Sequence, residues 1–292
     1  MEIKEVRHLI TYRCNLRCRH CYLDAKFVNG KAGDDSEESC PGFSQSDFDR
    51  FYLFYKPGIV SATGGEPLLR LDLVRMIARS TALYGGAMEL VTNGFFLTEE
   101  LVRELNGINP KTFYQVSLDG SEKFHNDLRG HSLAYRRAMR AIDVASKSGA
   151  LTKARLTAMN DNFSDIPKVI SALDAFGRKN IRLVIRPALC AGRAKKNDLR
   201  FDAGFGEFER FGNHAKAISV ETTDNAGKCG CGTDTIAVNP FGAIFPCTYF
   251  VFDENYKMGD IRGDLENISE APEFRLFGGA CYARYLKKQI PV

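Results

Sequence analysis

The sequence predicts an α/β protein built on a parallel sheet, and three observations carry that prediction. Short apolar runs alternate with segments of helical apolar spacing as far as residue 186. Glycine, proline and polar clusters punctuate the changes between them. The residue types that do chemistry fall in the loops after the strands. Strands that alternate with helices pair in parallel through right-handed crossovers. By itself this pattern fits an open sheet or an incomplete barrel equally well.

The elements follow in order. An apolar run over 6–10 is a first strand, and the polar, Gly-containing stretch 27–42 reads as a long functional loop. A helix over 44–55 opens on Ser44 with Asp47 three residues on, a capping-box-like start. Its aromatics Phe48, Phe51, Tyr52 and Tyr55 recur at helical spacing, which suits core packing. Pro57-Gly58 breaks the chain before a strand over 59–62. There follow a helix over 71–84, a strand over 87–92, a helix over 98–106 and a strand over 112–118. A helix over 132–148, a strand over 152–158, a helix over 164–177 and a sixth strand over 181–186 complete the run. Residues 188–203 read as loop and 204–217 as helix. Two short runs, 235–238 and 243–245, flank Asn239-Pro240-Phe241-Gly242, a hairpin signal. A basic helix is expected at the end.

Composition narrows the possible functions. The 292 residues are 44% hydrophobic and 26% charged, ordinary for a soluble globular protein. No apolar run approaches the length of a membrane span, and Met1-Glu2-Ile3-Lys4-Glu5 is not a signal peptide, so no membrane partner and a cytoplasmic location are expected. The net charge of +4 is mild and the basic residues are scattered, apart from pairs such as Lys195-Lys196 and Lys287-Lys288. That argues against a nucleic-acid partner, which calls for a denser basic stripe. Nine cysteines, an odd number, point to metal ligation rather than a disulfide framework.

Cys14, Cys18 and Cys21 lie within eight residues, just after the first strand. A tight turn there can aim three thiolates at one point. A four-iron cube normally takes four thiolates; three leave one iron open for a small molecule, as catalytic metal sites keep one position free. A zinc knot is the alternative, though no second cysteine pair or His pair lies near Cys21. The Cys-x3-Cys-x2-Cys spacing resembles that of the radical S-adenosylmethionine (SAM) enzymes. The resemblance implies a [4Fe–4S] cluster whose open iron is chelated by SAM. It also implies reductive cleavage of SAM to a 5′-deoxyadenosyl radical, and an external electron donor such as flavodoxin or ferredoxin. Gly64-Gly65-Glu66-Pro67, after the second strand, is similar to the family's Gly-Gly-Glu-Pro signature. Its glycines let the backbone approach a ligand, and its carbonyls with Glu66 would receive the SAM ammonium.

The same resemblance implies that Ser117, at the end of the fourth strand, bonds the SAM ribose or carboxylate. It implies that Arg129, whose alternative is a surface arginine at a helix start, holds the methionine carboxylate. Asn160 would touch the ribose and the backbone at His20 would meet the adenine. The implied fold is a partial (β/α)6 TIM-type barrel over 1–200, with its active site at the carboxyl ends of the strands. A small β-hairpin and helix extension would occupy 201–292.

Cys229, Cys231, Cys247 and Cys281 form a second set. The spacing from Cys229 through Gly242 to Cys247 resembles the SPASM extension. The block of closely spaced cysteines for its second cluster is missing and Phe277 stands where a ligand often does, so one auxiliary [4Fe–4S] cluster of the shorter twitch type is expected. Zinc suits four thiolates equally well by softness. Cys231 either ligates or packs nearby. Four ligands suit electron relay, whereas three would leave an iron for substrate. Cys40 and Cys190 remain, as hydrogen-atom donors at the barrel mouth or as inert buried thiols. The barrel begins at about residue 6, so a leader-binding domain before it is not expected. The expected activity is radical oxidation or crosslinking of a small-molecule or peptidic substrate, with the auxiliary cluster accepting the electron. Epimerisation using Cys190 or Cys40 is the enzymatic alternative, and a non-catalytic iron–sulfur electron carrier is the alternative of another class.

Overall fold

The computed structural model describes residues 2–27, 42–189, 191–202, 207–208, 211, 215–222 and 230–268. Six strands form the expected parallel series: β1 (Glu5–Thr11), β2 (Ile59–Gly64), β3 (Ala87–Thr92), β4 (Phe113–Ser117), β5 (Thr152–Ala158) and β6 (Ile181–Pro187). Between them run α1 (Gln45–Tyr55), α2 (Leu71–Leu83), α3 (Glu99–Ile108), α4 (Glu122–Arg129), α5 (Ala134–Lys147) and α6 (Ile166–Asp174). A short α7 (Gly192–Lys196) follows β6, then β7 (Ser219–Thr222), β8 (Thr235–Val238), β9 (Ala243–Phe245) and β10 (Gly259–Asp260).

Local chemistry accounts for the helix ends. Ser44 caps α1: its hydroxyl accepts from the backbone N–H of Asp47, while Asp47 Oδ2 accepts from the Ser44 N–H at 2.8 Å. Thr98 caps α3 through the Leu101 N–H. Buried Phe48, Phe51 and Tyr52 dock α1 on the sheet, each contributing about 1.5–3 kcal/mol by leaving water. On the same face His8 of β1 lies 2.7 Å from the Tyr52 hydroxyl.

The strands run in the order β10-β9-β8-β1-β2-β3-β4-β5-β6-β7, with β10 and β7 at the open edges. The hairpin expected at 235–245 is present, and it joins the main sheet: β8 pairs in parallel with β1, Glu5 opposite Thr235. The extension and the barrel therefore share one ladder of hydrogen bonds.

Alternation along each strand separates two faces. Ala154, Leu156 and Ala158 of β5 pack in the core beneath the helices, so Lys153, Arg155 and Thr157 face the other way. In a flat sheet β1 and β5, with three strands between them, would stand roughly 19 Å apart. The charge of Arg7 on β1 nevertheless acts on both Arg155 and Arg186. The sheet therefore curls around a lumen, as in a partial barrel that does not close.

Two expectations are corrected. Residues 188–203 are not all loop, because 192–196 form α7, held by bonds to the cysteine loop rather than by its own propensity. No strand is expected between 187 and 234, yet β7 forms there and adds beyond β6, with Arg182 opposite Ser219. The helix expected over 204–217 falls largely outside the described residues, and so does the C-terminal basic helix.

Candidate active site at the mouth of the barrel

Cys14, Cys18 and Cys21 follow β1 on a loop whose backbone is gripped by four later segments. From the loop after β2, the Gly65 N–H donates to Thr11 O at 2.7 Å and the Glu66 N–H to Arg13 O at 2.8 Å. A methyl group at Gly65 would sit 2.0 Å from Arg13 O, so only glycine permits this approach. Gly64, with φ of 132°, also approaches closely, with Thr11 O 2.4 Å from where its Cβ would be. The backbone these glycines admit is the chain's own.

From the loop after β3, Asn93 Nδ2 donates to Asn15 Oδ1 at 2.8 Å and points at Cys14 Sγ, 3.9 Å away. From α4, the Arg129 and Leu128 carbonyls accept from the N–H groups of Arg17 and Arg19, and Arg129 Nη1 donates to Cys18 Sγ at 3.7 Å. From α7, the Arg193 N–H donates to Cys21 O at 2.9 Å, and its guanidinium to Cys18 O at 2.8 Å and Ala25 O at 3.0 Å. Asn197 Nδ2 reaches Arg19 O at 2.9 Å. Residues drawn from four crossovers thus fix one eight-residue loop.

The three sulfurs are close enough to feel one another. Burial pushes the Cys14 and Cys18 thiols up, and the neighbouring cysteines add to it; at Cys18 the Arg129 guanidinium works in the opposite direction. Thiols that resist ionisation in the bare protein, ringed by N–H donors, suit a cationic cluster core that takes the thiolates as ligands. Among the described residues no three His, Cys, Asp or Glu side chains converge as ligands of one metal ion. A four-iron cube makes a different demand, taking each thiolate on a separate iron.

Two buried carboxylates organise the surroundings. Glu66 is sealed from solvent and accepts from the Leu68 N–H at 3.2 Å, Thr92 Oγ1 at 2.7 Å and the Asn93 N–H at 2.8 Å. It ties the loop after β2 to the loop after β3. Burial moves its carboxyl up to about 7 against these hydrogen bonds. Asp119, equally buried, receives Arg129 Nε at 2.8 Å and Nη2 at 2.6 Å, and the Thr157 N–H at 3.1 Å. Although burial opposes it, the Arg129 charge holds Asp119 well below the usual carboxylate range. His20 Nε2 lies 3.7 Å from the same carboxylate, and burial takes the imidazole down to about 4.

The other expected residues are placed as follows. Ser117 ends β4 on the lumen face, half-buried. Pro67 opens a one-turn 3-10 helix. Asn160 is exposed and pairs with Asp202, its Nδ2 donating to Oδ2 at 2.8 Å and its Oδ1 accepting from the Asp202 N–H at 3.0 Å. In the second set, Cys231 and Cys247 are buried and both act on Arg7. Cys229, Cys281, Cys40 and Cys190 lie outside the described residues.

The family model of the radical SAM superfamily matches residues 9–173, and that of the SPASM iron–sulfur cluster-binding domain matches 229–289. The chain belongs to the radical SAM superfamily. Membership implies a [4Fe–4S] cluster and SAM, and the SPASM segment implies auxiliary iron–sulfur binding. Three relatives frame this radical SAM protein. The Fe-coproporphyrin III synthase of Methanosarcina barkeri is 29% identical over 64% of this chain and 44% of its own. The antilisterial bacteriocin subtilosin biosynthesis protein AlbA of Bacillus subtilis is 24% identical over 90% of this chain and 58% of its own. SuiB of Streptococcus suis, solved bound to SAM, shares the fold at a TM-score of 0.75 and 14% identity, covering 98% of this chain and 75% of SuiB. The chain spans about half the length of the two curated relatives. Among the described residues no helix is long and apolar enough to cross a membrane.

Asn93, Asp119 and Arg193 are the site residues that sequence reasoning did not single out. Asn93 directly follows β3, Asp119 stands two residues after β4, and Arg193 lies in α7 beyond β6. The available signal was position: each sits at the carboxyl end of a strand or just beyond it.

Proposed function

We propose that this chain abstracts a hydrogen atom from a peptidic substrate, leading to oxidation or crosslinking, with an auxiliary cluster taking up the electron left on the substrate. When bound, SAM and the [4Fe–4S] cluster supply the 5′-deoxyadenosyl radical. The chain's residues do the rest. Cys14, Cys18 and Cys21 would hold the cluster, and Asn93 and Arg129 direct N–H groups at the sulfurs. Ser117 and Arg129 are the groups proposed to meet SAM. Cys231 and Cys247 are proposed ligands of one auxiliary cluster, together with Cys229 and Cys281.

The carrying observation is the fixed loop that presents three cysteines at the mouth of a lumen. The peptide reading rests on extent. Similarity to a bacteriocin biosynthesis protein runs through 90% of this chain, whereas similarity to the tetrapyrrole enzyme covers 64%. SuiB, which shares the fold, has been solved with its precursor peptide SuiA. The test is anaerobic reconstitution with iron and sulfide, reduction by dithionite and addition of SAM. Formation of 5′-deoxyadenosine by the native chain, lost in Cys18→Ala, is expected; intact SAM in the reconstituted native protein overturns the reading.

A further inference from the structure

Among the described residues, the lumen of the barrel carries more positive charge than its carboxylates neutralise. Its charged groups come from five strands and can be counted in pairs. Glu5 gives both carboxylate oxygens to Arg7, at 2.8 and 3.3 Å. Glu89 on β3 accepts from Ser61 Oγ at 2.7 Å and from Lys153 Nζ at 2.9 Å, so both of its oxygens are engaged. Arg182 of β6 pairs with Glu221 of β7 at 2.9 Å. Arg155 of β5 and Arg186 of β6 are left over. Among the described residues neither has a hydrogen bond or an ion pair partner, and the Nε of each is buried without one.

Register places these two side by side. Arg155 lies opposite Val184 and Arg186 opposite Thr157, so they are diagonal neighbours on the same face of adjacent strands. Arg186 is one residue from the end of β6, and Arg155 is about 7 Å deeper at the usual rise per residue. The charge of Arg186 acts on Arg155, that of Arg7 acts on both, Glu89 works the other way at both, and Tyr249 of the extension acts on both as well. Two guanidiniums that repel one another in a partly desolvated cavity are unfavourable for the bare protein. Such an arrangement is made favourable by an anion that both forks can grip.

We propose that Arg155 and Arg186 form the anchor for a carboxylate of the substrate, below the mouth where the cysteine loop sits. A carboxylate matches the planar fork of a guanidinium in shape and charge. Anchored between β5 and β6, it holds the neighbouring part of the substrate toward the mouth. The inference rests on the lumen being the substrate chamber of the proposed reaction, and it names the chemical class admitted there: an acidic side chain of a peptide, or a small dicarboxylic acid.

The test measures binding, not turnover, so it succeeds or fails independently of SAM cleavage. The reconstituted full chain is titrated calorimetrically with a capped glycine–alanine heptapeptide bearing a central glutamate. The same peptide with glutamine and free glutarate are titrated at matched ionic strength. The glutamate peptide is expected to bind at least about tenfold more tightly than the glutamine peptide. Preference for the peptide over glutarate assigns the carboxylate to a peptide, and equal or tighter binding of glutarate assigns it to a small acid; both support the anchor. Arg155→Met and Arg186→Met are expected to abolish this preference while raising the thermal midpoint of the ligand-free protein, since each removes an unpaired charge. Arg155→Lys keeps the charge without the fork and is expected to bind weakly. Arg182→Gln, outside the anchor, keeps the preference. Equal binding of the two peptides, or a lower midpoint in both methionine variants, overturns the proposal.

Discussion

Arg129 stands between a carboxylate and a sulfur: two of its nitrogens are held by Asp119 at 2.6 and 2.8 Å, and a third points at Cys18 Sγ, 3.7 Å away. Breaking one side of a buried ion pair leaves the other uncompensated, at about 3–5 kcal/mol. Asp119→Asn is therefore expected to lower the thermal midpoint. It should also shift the reduction potential of the first cluster, because the guanidinium beside Cys18 loses its orientation. Potentiometric titration followed by electron paramagnetic resonance reads the second effect, and an unchanged potential would show that Arg129 holds its place without Asp119.

The glycines after β2 make a sharper prediction. Gly65→Ala pushes a methyl group onto Arg13 O. Either the Glu66 bond to Arg13 or the course of the cysteine loop must then give way. Iron bound per chain after reconstitution is expected to fall severalfold. Gly107→Ala in α3 provides the contrast, since nothing lies within 4 Å of the added methyl. It should stabilise by about 0.5–1 kcal/mol.

Arg193→Ala tests the grip from α7. It removes the guanidinium bonds to the Cys18 and Ala25 carbonyls while leaving the backbone bond to Cys21 O. Faster loss of iron to a chelator, with little change in the initial loading, is the expected outcome. Chelation kinetics followed by the visible absorbance of the cluster check it.

His8 gives the pH dependence. It is wholly buried against Phe48 and Tyr52, and burial depresses its imidazole to about 3. The unfolded chain takes up a proton near 6.5, and the folded chain resists until about 3. The contribution of His8 is therefore present above 6.5 and is lost as the pH falls between those values. From pH 6.5 to pH 5 the loss amounts to about 2 kcal/mol. The urea midpoint of the native chain should drop over that interval more steeply than that of His8→Gln, which keeps an acceptor for the Tyr52 hydroxyl.

Much of this was legible in the sequence because its causes are local. β3, β5 and both hairpin strands lie where apolar alternation and turn residues place them. Ser44 and Thr98 cap the helices whose starts they mark. α4 escaped because Glu122, Lys123, His125, Asn126 and Asp127 give it little apolar periodicity; its buried side chains include His125 and Arg129. α7 escaped because five residues do not make a helix without partners. Of the site, the cysteine spacing and the glycine pair could be read directly. The reason for the glycines could not: it lies in Thr11 and Arg13, more than fifty positions earlier. Glu66 likewise reads as a ligand group in the sequence, and only the folded chain shows that its carboxylate also accepts from Leu68, Thr92 and Asn93.

The pairing of β1 with β8 has a consequence for biosynthesis. Glu5 and Thr235 meet across 230 positions of chain. A nascent chain leaving the ribosome therefore exposes one long edge of its first strand until nearly all of the barrel has been made. Such an edge is a template for pairing with another chain. Slow translation through residues 187–234 would prolong that exposure, and inclusion-body formation should respond to codon choice there more than anywhere earlier.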